Sequence, residues 1–345
     1  MRTLFVMSCI AALIGCRSTH RDDSATKDAV SNVGPSNAAF ERFEKWIEQL
    51  NPILGKELSA QEAANGILDA SKKNRAVMFS MQALGRLYEK QNPEFEMIRQ
   101  NFKSLEDGIG EFDKWSELYS KGEKTGVGPD NLKKFSEGKD LARQAFADSL
   151  RDQSWVETSQ PRLRAIHDFL QGYDWLPYNE ERNILIKAMD KQISKIGKKE
   201  WDLSSLEGKA GLHELKRELR WFQIEAQVLN GLVAFREDSN DCPVEEFKAL
   251  LSEPIAQNPF SQLPIAPGEV NPCFISQCLY LAGATFVSEL DAIKQEAELY
   301  AYTTGVEFTN EVPAKFQERA GNVLKSLVGA GYVSHISSQL NACIH

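Results

Sequence analysis

The chain has 345 residues, 42% hydrophobic and 26% charged, with a formal net charge of -9 and six cysteines. Such a hydrophobic share excludes general disorder, and the length suffices to bury a large core. The acidic balance excludes a general nucleic-acid binder, and a single apolar run, at the very start, excludes a polytopic membrane protein.

Residues 1–15 read as a signal segment. Arg2 supplies a positive start, and Leu4 to Ile14 an apolar run too short for the roughly 20 residues a spanning helix needs. The run ends Leu13-Ile14-Gly15-Cys16. This resembles the lipobox of bacterial lipoprotein signals. The resemblance implies cleavage before Cys16 and acylation of that cysteine, and more than one acyl chain gives a stable membrane anchor. Arg17 follows rather than Asp, which implies the outer membrane, with the domain facing the periplasm. Residues 16–38 are polar, lack apolar period and read as a flexible tether.

From Phe40 onward the pattern is helical. Phe40, Phe43, Ile47 and Leu50 form one face; Ala76, Phe79, Ala83, Leu84 and Leu87 form another. Phe95, Ile98, Phe102, Leu105, Ile109, Phe112 and Leu118 continue it. Later faces are Leu163, Ile166, Phe169 and Leu170; then Leu185, Met189, Ile193 and Ile196; then Leu212, Leu215, Leu219, Phe222, Ala226 and Leu229. Recurrence at three and four residues means amphipathic helices, and sustained alternation with period two is absent. The expected fold is all-α. Breaks are expected at Asn51-Pro52, Asn92-Pro93, Gly126 to Pro129, Gln160-Pro161 and Gly208 to Gly211. Asp238 to Pro272 holds six of the thirteen prolines and predicts a long irregular excursion.

With Cys9 lost in the signal and Cys16 acylated, Cys242, Cys273, Cys278 and Cys343 remain. An even count outside the cytoplasm predicts two disulfides. Three pairings are possible; the expected one joins Cys242 to Cys273, closing the excursion, and Cys278 to Cys343. Cys273 and Cys278 lack metal-ligand spacing and no histidine stands beside them, so no metal is expected.

Catalytic motifs are missing. His213-Glu214 opens like a zinc-protease helix, but Arg217 stands where the second histidine belongs. His167-Asp168 has no supporting histidine, and Gly108-Ile109-Gly110 lies inside a helical pattern. There is no nucleophile elbow, P-loop or dinucleotide fingerprint. The expectation is a non-enzyme without cofactor.

One helix stands out. At 100° per residue, His213, Lys216, Arg217 and Arg220 form a stripe away from the leucines, with Glu214 and Glu218 turned to a third side. Lys187, Lys191, Lys195 and Lys198 share one face of the segment before it. A line of bases suits a phosphate chain, and a partly protonated His213 would strengthen binding below roughly pH 6 to 7.

The His213 segment resembles the signature of the conserved-histidine α-helical domain (CHAD), a histidine followed by basic residues and leucines on one helix. Glu180 to Lys199 resembles the long basic helix that precedes it there. The resemblance implies two pseudo-repeated antiparallel helical bundles, a first lobe at about 39–158 and a second at about 160–345, lining a basic channel. It also implies polyphosphate, or another anionic polymer, as ligand. His213, Lys216, Arg217 and Arg220 would hold it, with Lys191, Lys195 and Arg75 in support. Ser71 to Tyr88 would be the counterpart helix, with Lys72 where a histidine belongs. Phe95 to Tyr119 would be the next segment. Met78 to Gln82 carry no bases. Residues 160–236 hold 13 bases and 11 acids, residues 237–345 five and 14, so the net charge is concentrated in the last third. The alternative expectation is a structural or protein-interaction lipoprotein that keeps this scaffold, has lost the polyanion, and works through an envelope protein partner.

Overall fold

A computed structural model describes residues 37–54, 58–156, 160–206, 208–236, 242–265, 271–304 and 312–344. Among them are eleven α-helices and one small sheet, so the fold is all-α. The signal segment, Cys16 and most of the tether lie outside the described residues; residues 35–345 form one compact unit.

The first five helices are α1 (Asn37–Leu54), α2 (Ala60–Asp69), α3 (Ser71–Tyr88), α4 (Phe95–Thr125) and α5 (Pro129–Asp152). Next come α6 (Pro161–Gly172), α7 (Tyr178–Lys198) and α8 (Leu212–Val228). After the proline-rich stretch follow α9 (Gln277–Thr304), α10 (Ala314–Gly329) and α11 (Tyr332–Ala342). Their ends follow local chemistry. Ser59 and Glu62 form a reciprocal cap at the start of α2. Gly126, at φ +71°, ends α4 in the left-handed conformation that glycine adopts without a Cβ clash. Pro129 and Pro161 open α5 and α6, where the missing N–H is not needed.

The predicted apolar faces are buried almost residue for residue; Phe40, Ala76 and Phe169 remain half-buried. The expected break at Asn51-Pro52 is not there. Helix α1 runs through Pro52 to Leu54. Pro52 is exposed, so the carbonyl it leaves without a donor can turn to water, and burying both Leu50 and Leu54 favours the last turn.

Helix α3 packs on α4 and α4 on α5; α8 packs on α9 and α9 on α10. The two sets meet where α3 packs on α8, while α7 packs on α8 and α11. Two glycines of α4 allow these approaches. A Cβ on Gly108 would fall 2.4 Å from the Phe146 ring, and one on Gly110 2.9 Å from the Arg75 guanidinium. The Gly-Ile-Gly run therefore has a packing role invisible in its local pattern. Gly108→Ala is expected to lower stability by about 1–3 kcal/mol in denaturant unfolding, because the buried Phe146 ring must shift.

The described part of the proline-rich excursion contains three short 3-10 turns, at Glu245–Ser252, Pro254–Gln257 and Pro259–Ser261. Strands β1 (Val233–Phe235) and β2 (Cys273–Ile275) flank it and pair in parallel, with Val233 opposite Cys273. Two disulfides are present, but the pairing differs from expectation: Cys242 joins Cys278 and Cys273 joins Cys343, with Cα separations of 5.9 and 5.3 Å. The sheet supplies the reason. Pairing with β1 fixes Cys273 in β2, on which α11 packs. Buried Arg182 then donates to Asn271 O at 2.8 Å and Cys343 O at 2.7 Å, which brings the last cysteine to β2. Cys242 meets the first turn of α9 instead.

Candidate functional site

Of the side chains singled out on α8, Arg220 meets those of α3 along the packed α3–α8 seam. The Arg220 guanidinium lies 3.9 Å from the centre of the Phe79 ring, and Arg75 lies 5.4 Å from it. Phe79 in turn stands edge-on to Trp221 at 5.7 Å, and Arg86 covers Trp221 at 4.8 Å. Guanidinium groups thus flank a pair of touching aromatic rings along the seam.

Carboxylates from the neighbouring helices engage most of the bases. Arg75 reaches Glu106 at 2.6 Å and Asp113 at 3.5 Å, both on α4. Lys216 binds Asp291 of α9 at 2.6 Å. Arg217 binds Glu214 one turn back at 2.7 Å, and Lys195 of α7 binds Glu218 at 2.7 Å. The acids of α8 are therefore not turned away from the bases. Glu214 closes on the stripe itself, while Glu218 points inward at 4% exposure, between Lys195 and Gln192. Gln295 of α9 bridges onward, donating to Asp291 at 3.1 Å and Glu117 at 3.4 Å and accepting from Lys121.

The field in this seam is mixed. Burial, with Arg75 alongside, pushes Arg220 down to about 10, so it stays charged at neutral pH. Burial lowers Lys216 in spite of Asp291. Burial would raise Asp291, but Lys216 and Arg220 hold it below the usual carboxylate range. Glu117 is raised by burial and by the charges of Asp291 and Asp113.

His213 heads α8 half-buried, its backbone N–H on Leu206 O at 3.0 Å. Lys72, Lys187, Lys191 and Lys198 are exposed. His167 sits apart, 3.5 Å from Glu44 of α1 and edge-on to Phe40. The acids that occupy the seam were missed in the sequence. A signal existed: Glu106, Asp113 and Glu117 stand at i, i+7 and i+11, one face of α4, and Asp291 and Gln295 at i and i+4 on α9.

Helix α8 also buries Glu225, 2% exposed, seven residues beyond Glu218. Its Oε1 accepts from Arg86 Nε at 3.2 Å, and its Oε2 has no partner among the described residues. Burial raises this carboxyl from 4.5 to about 7, with Arg86 only partly opposing. A raised folded-state value means the folded protein holds the proton more tightly than the unfolded chain. The resulting stability is fully present below pH 4.5 and lost as pH rises through about 7. At 1.36 kcal/mol per pH unit, the loss reaches about 3 kcal/mol. Glu225→Gln should therefore be more stable than the parent by up to about 3 kcal/mol at pH 8 and nearly equal to it at pH 4. Urea unfolding at the two pH values measures this.

Among the described residues no group of three or more His, Cys, Asp or Glu side chains is arranged to hold a metal, and no helix is long and apolar enough to cross a membrane. No family model, no curated protein and no solved structure matches the chain.

Proposed function

We propose that this chain is a non-catalytic lipoprotein of the bacterial envelope whose helical scaffold serves protein interaction and has given up extended polyanion binding. The observation that carries the reading is the pairing of the bases. Arg75, Lys195, Lys216 and Arg217 each hold a carboxylate of their own chain. A phosphate chain would have to displace those carboxylates, so each phosphate bound there breaks an ion pair already made. Of the arginines and lysines expected to hold the polymer, only Arg220 and exposed Lys191 remain outside these pairs, too few for a lined channel.

The scaffold itself is read as the two-bundle, CHAD-like arrangement. Supporting it is the serial packing of α3, α4 and α5 in one half and of α8, α9 and α10 in the other, joined through α3 and α8. The anchor would be acyl chains on Cys16, with the domain facing the periplasm from the outer membrane. Support for that part is the order Leu13, Gly15, Cys16, Arg17 after a short apolar run.

Titration with long-chain polyphosphate at two salt concentrations tests the reading. A stripe of four phosphate contacts would give a log–log salt slope of about -3 or steeper. The expected slope is much shallower, and the variant carrying Lys216→Gln, Arg217→Gln and Arg220→Gln together should bind no differently from the parent. A steep slope abolished by that triple variant would reinstate the polyanion site.

A further inference from the structure

A cavity of about 700 Å3 opens where the α4–α5 turn meets α9 and α10, and it shares no residue with the charged seam. We propose that it binds an amphiphilic monoanion, a molecule with one carboxylate-like head and a short apolar body. The volume is that of a small-molecule site rather than of a polymer groove. Its lining divides by chemistry. Val127 of the turn, Leu299 of α9 and Phe316 of α10 supply apolar surface for the body.

The head is specified by charge. Arg319 and Glu296 line the cavity and neutralise one another across 2.6 Å. Lys315 has no carboxylate partner among the described residues. Its ammonium stands 4.4 Å from the centre of the Tyr300 ring and 4.7 Å from that of Phe316, which are edge-to-face at 6.4 Å. Ring faces hold a cation in place without using its hydrogen-bond donors. Gly128 and Asn131, at the start of the 24-residue α5, also line the cavity, and no side chain caps that helix. The positive end of α5 and the Lys315 ammonium therefore border the same space. One cation without a carboxylate partner among the described residues, plus a helix N-terminus, matches one anionic group; the apolar wall distinguishes the ligand from a bare inorganic anion.

Calorimetric titration of the full chain with sodium octanoate, octylammonium chloride and octan-1-ol tests the site. Octanoate is expected to saturate one site per chain and to bind at least about ten-fold more tightly than octylammonium, as a charge-assisted contact requires. Lys315→Gln should weaken octanoate about ten-fold and leave octanol unchanged. Lys315 is exposed, so the thermal midpoint of that variant should equal the parent's. Asn131→Trp, which adds bulk at the cavity wall, should weaken both octanoate and octanol. Failure of octanoate to saturate overturns the proposal. So does octylammonium binding as well as octanoate, or unchanged octanoate binding in either variant.

Discussion

Glu181→Ala is expected to lower the unfolding free energy by about 3–5 kcal/mol, among the largest effects of any single change in this protein. Glu181 is 1% exposed and Arg42 5%, and the two stand 3.0 Å apart. Tyr88, fully buried, accepts from Arg42 at 2.6 Å and donates its own hydroxyl proton to Glu181. Burial holds the Tyr88 hydroxyl well above its ordinary pKa, so it remains a donor. The three residues come from α1, α3 and α7, and aromatic rings of Phe43, Phe95 and Trp175 pack around Tyr88. Removing Glu181 strands a guanidinium where water cannot reach it, and that stranding dominates the cost.

Two further variants separate that cost from the worth of the ion pair. Tyr88→Phe leaves the ion pair intact and should cost only about 1 kcal/mol, the ordinary value of a net hydrogen bond. Arg42→Met combined with Glu181→Met removes both charges and should recover much of the loss, because an apolar replacement no longer carries the desolvation penalty. Guanidinium unfolding followed by far-UV circular dichroism reads all three. If the double variant is as unstable as Glu181→Ala, the stranded charge is not the cause.

The triad also shows where reading the sequence stops. The apolar faces were legible because burial imposes a period of three to four residues on one helix at a time, and Phe95 to Leu118 met that period throughout. Proline and glycine marked most helix ends for a similarly local reason. Arg42 and Glu181 are 139 residues apart, and each looks like one more charged residue on a helix surface. Their burial depends on α7 lying beside α1 and α3, which no local pattern encodes. The seam repeats the lesson. The bases of α8 form a stripe in sequence, but Lys216 is neutralised from α9 and the neighbouring Arg75 of α3 from α4, with Arg217 paired inside α8. Glu106 and Asp291 had to be placed in space before Arg75 and Lys216 could be seen as members of internal pairs. Gly108 and Gly110 look like ordinary helix residues in sequence because what they accommodate, Phe146 and Arg75, arrives from other elements.

The disulfides combine both situations, a count legible in the sequence and a pairing that was not, and they carry the other large effect. Replacing Cys273 and Cys343 together by serine is expected to cost about 4 kcal/mol in the chain-entropy account, because the bond closes a separation of 70 residues. The Cys242–Cys278 bond closes 36 residues, and its loss should cost slightly less, since closure entropy grows only with the logarithm of loop length. The two loops share only the short segment from Cys273 to Cys278, so neither bond shortens the path the other must close. Losing both should therefore cost close to the sum of the two single losses. Peptide mapping without reductant should recover the 242–278 and 273–343 pairs, and a 242–273 pair would contradict the seating of Cys273 against Cys343. The consequence for function is local. With Cys273–Cys343 broken, α11 keeps its packing on α7, but β2 loses its covalent tie to the C-terminus. Hydrogen exchange should then rise first in β2 and the last turn of α11, ahead of the α3–α8 seam, whose side-chain contacts do not pass through either bond.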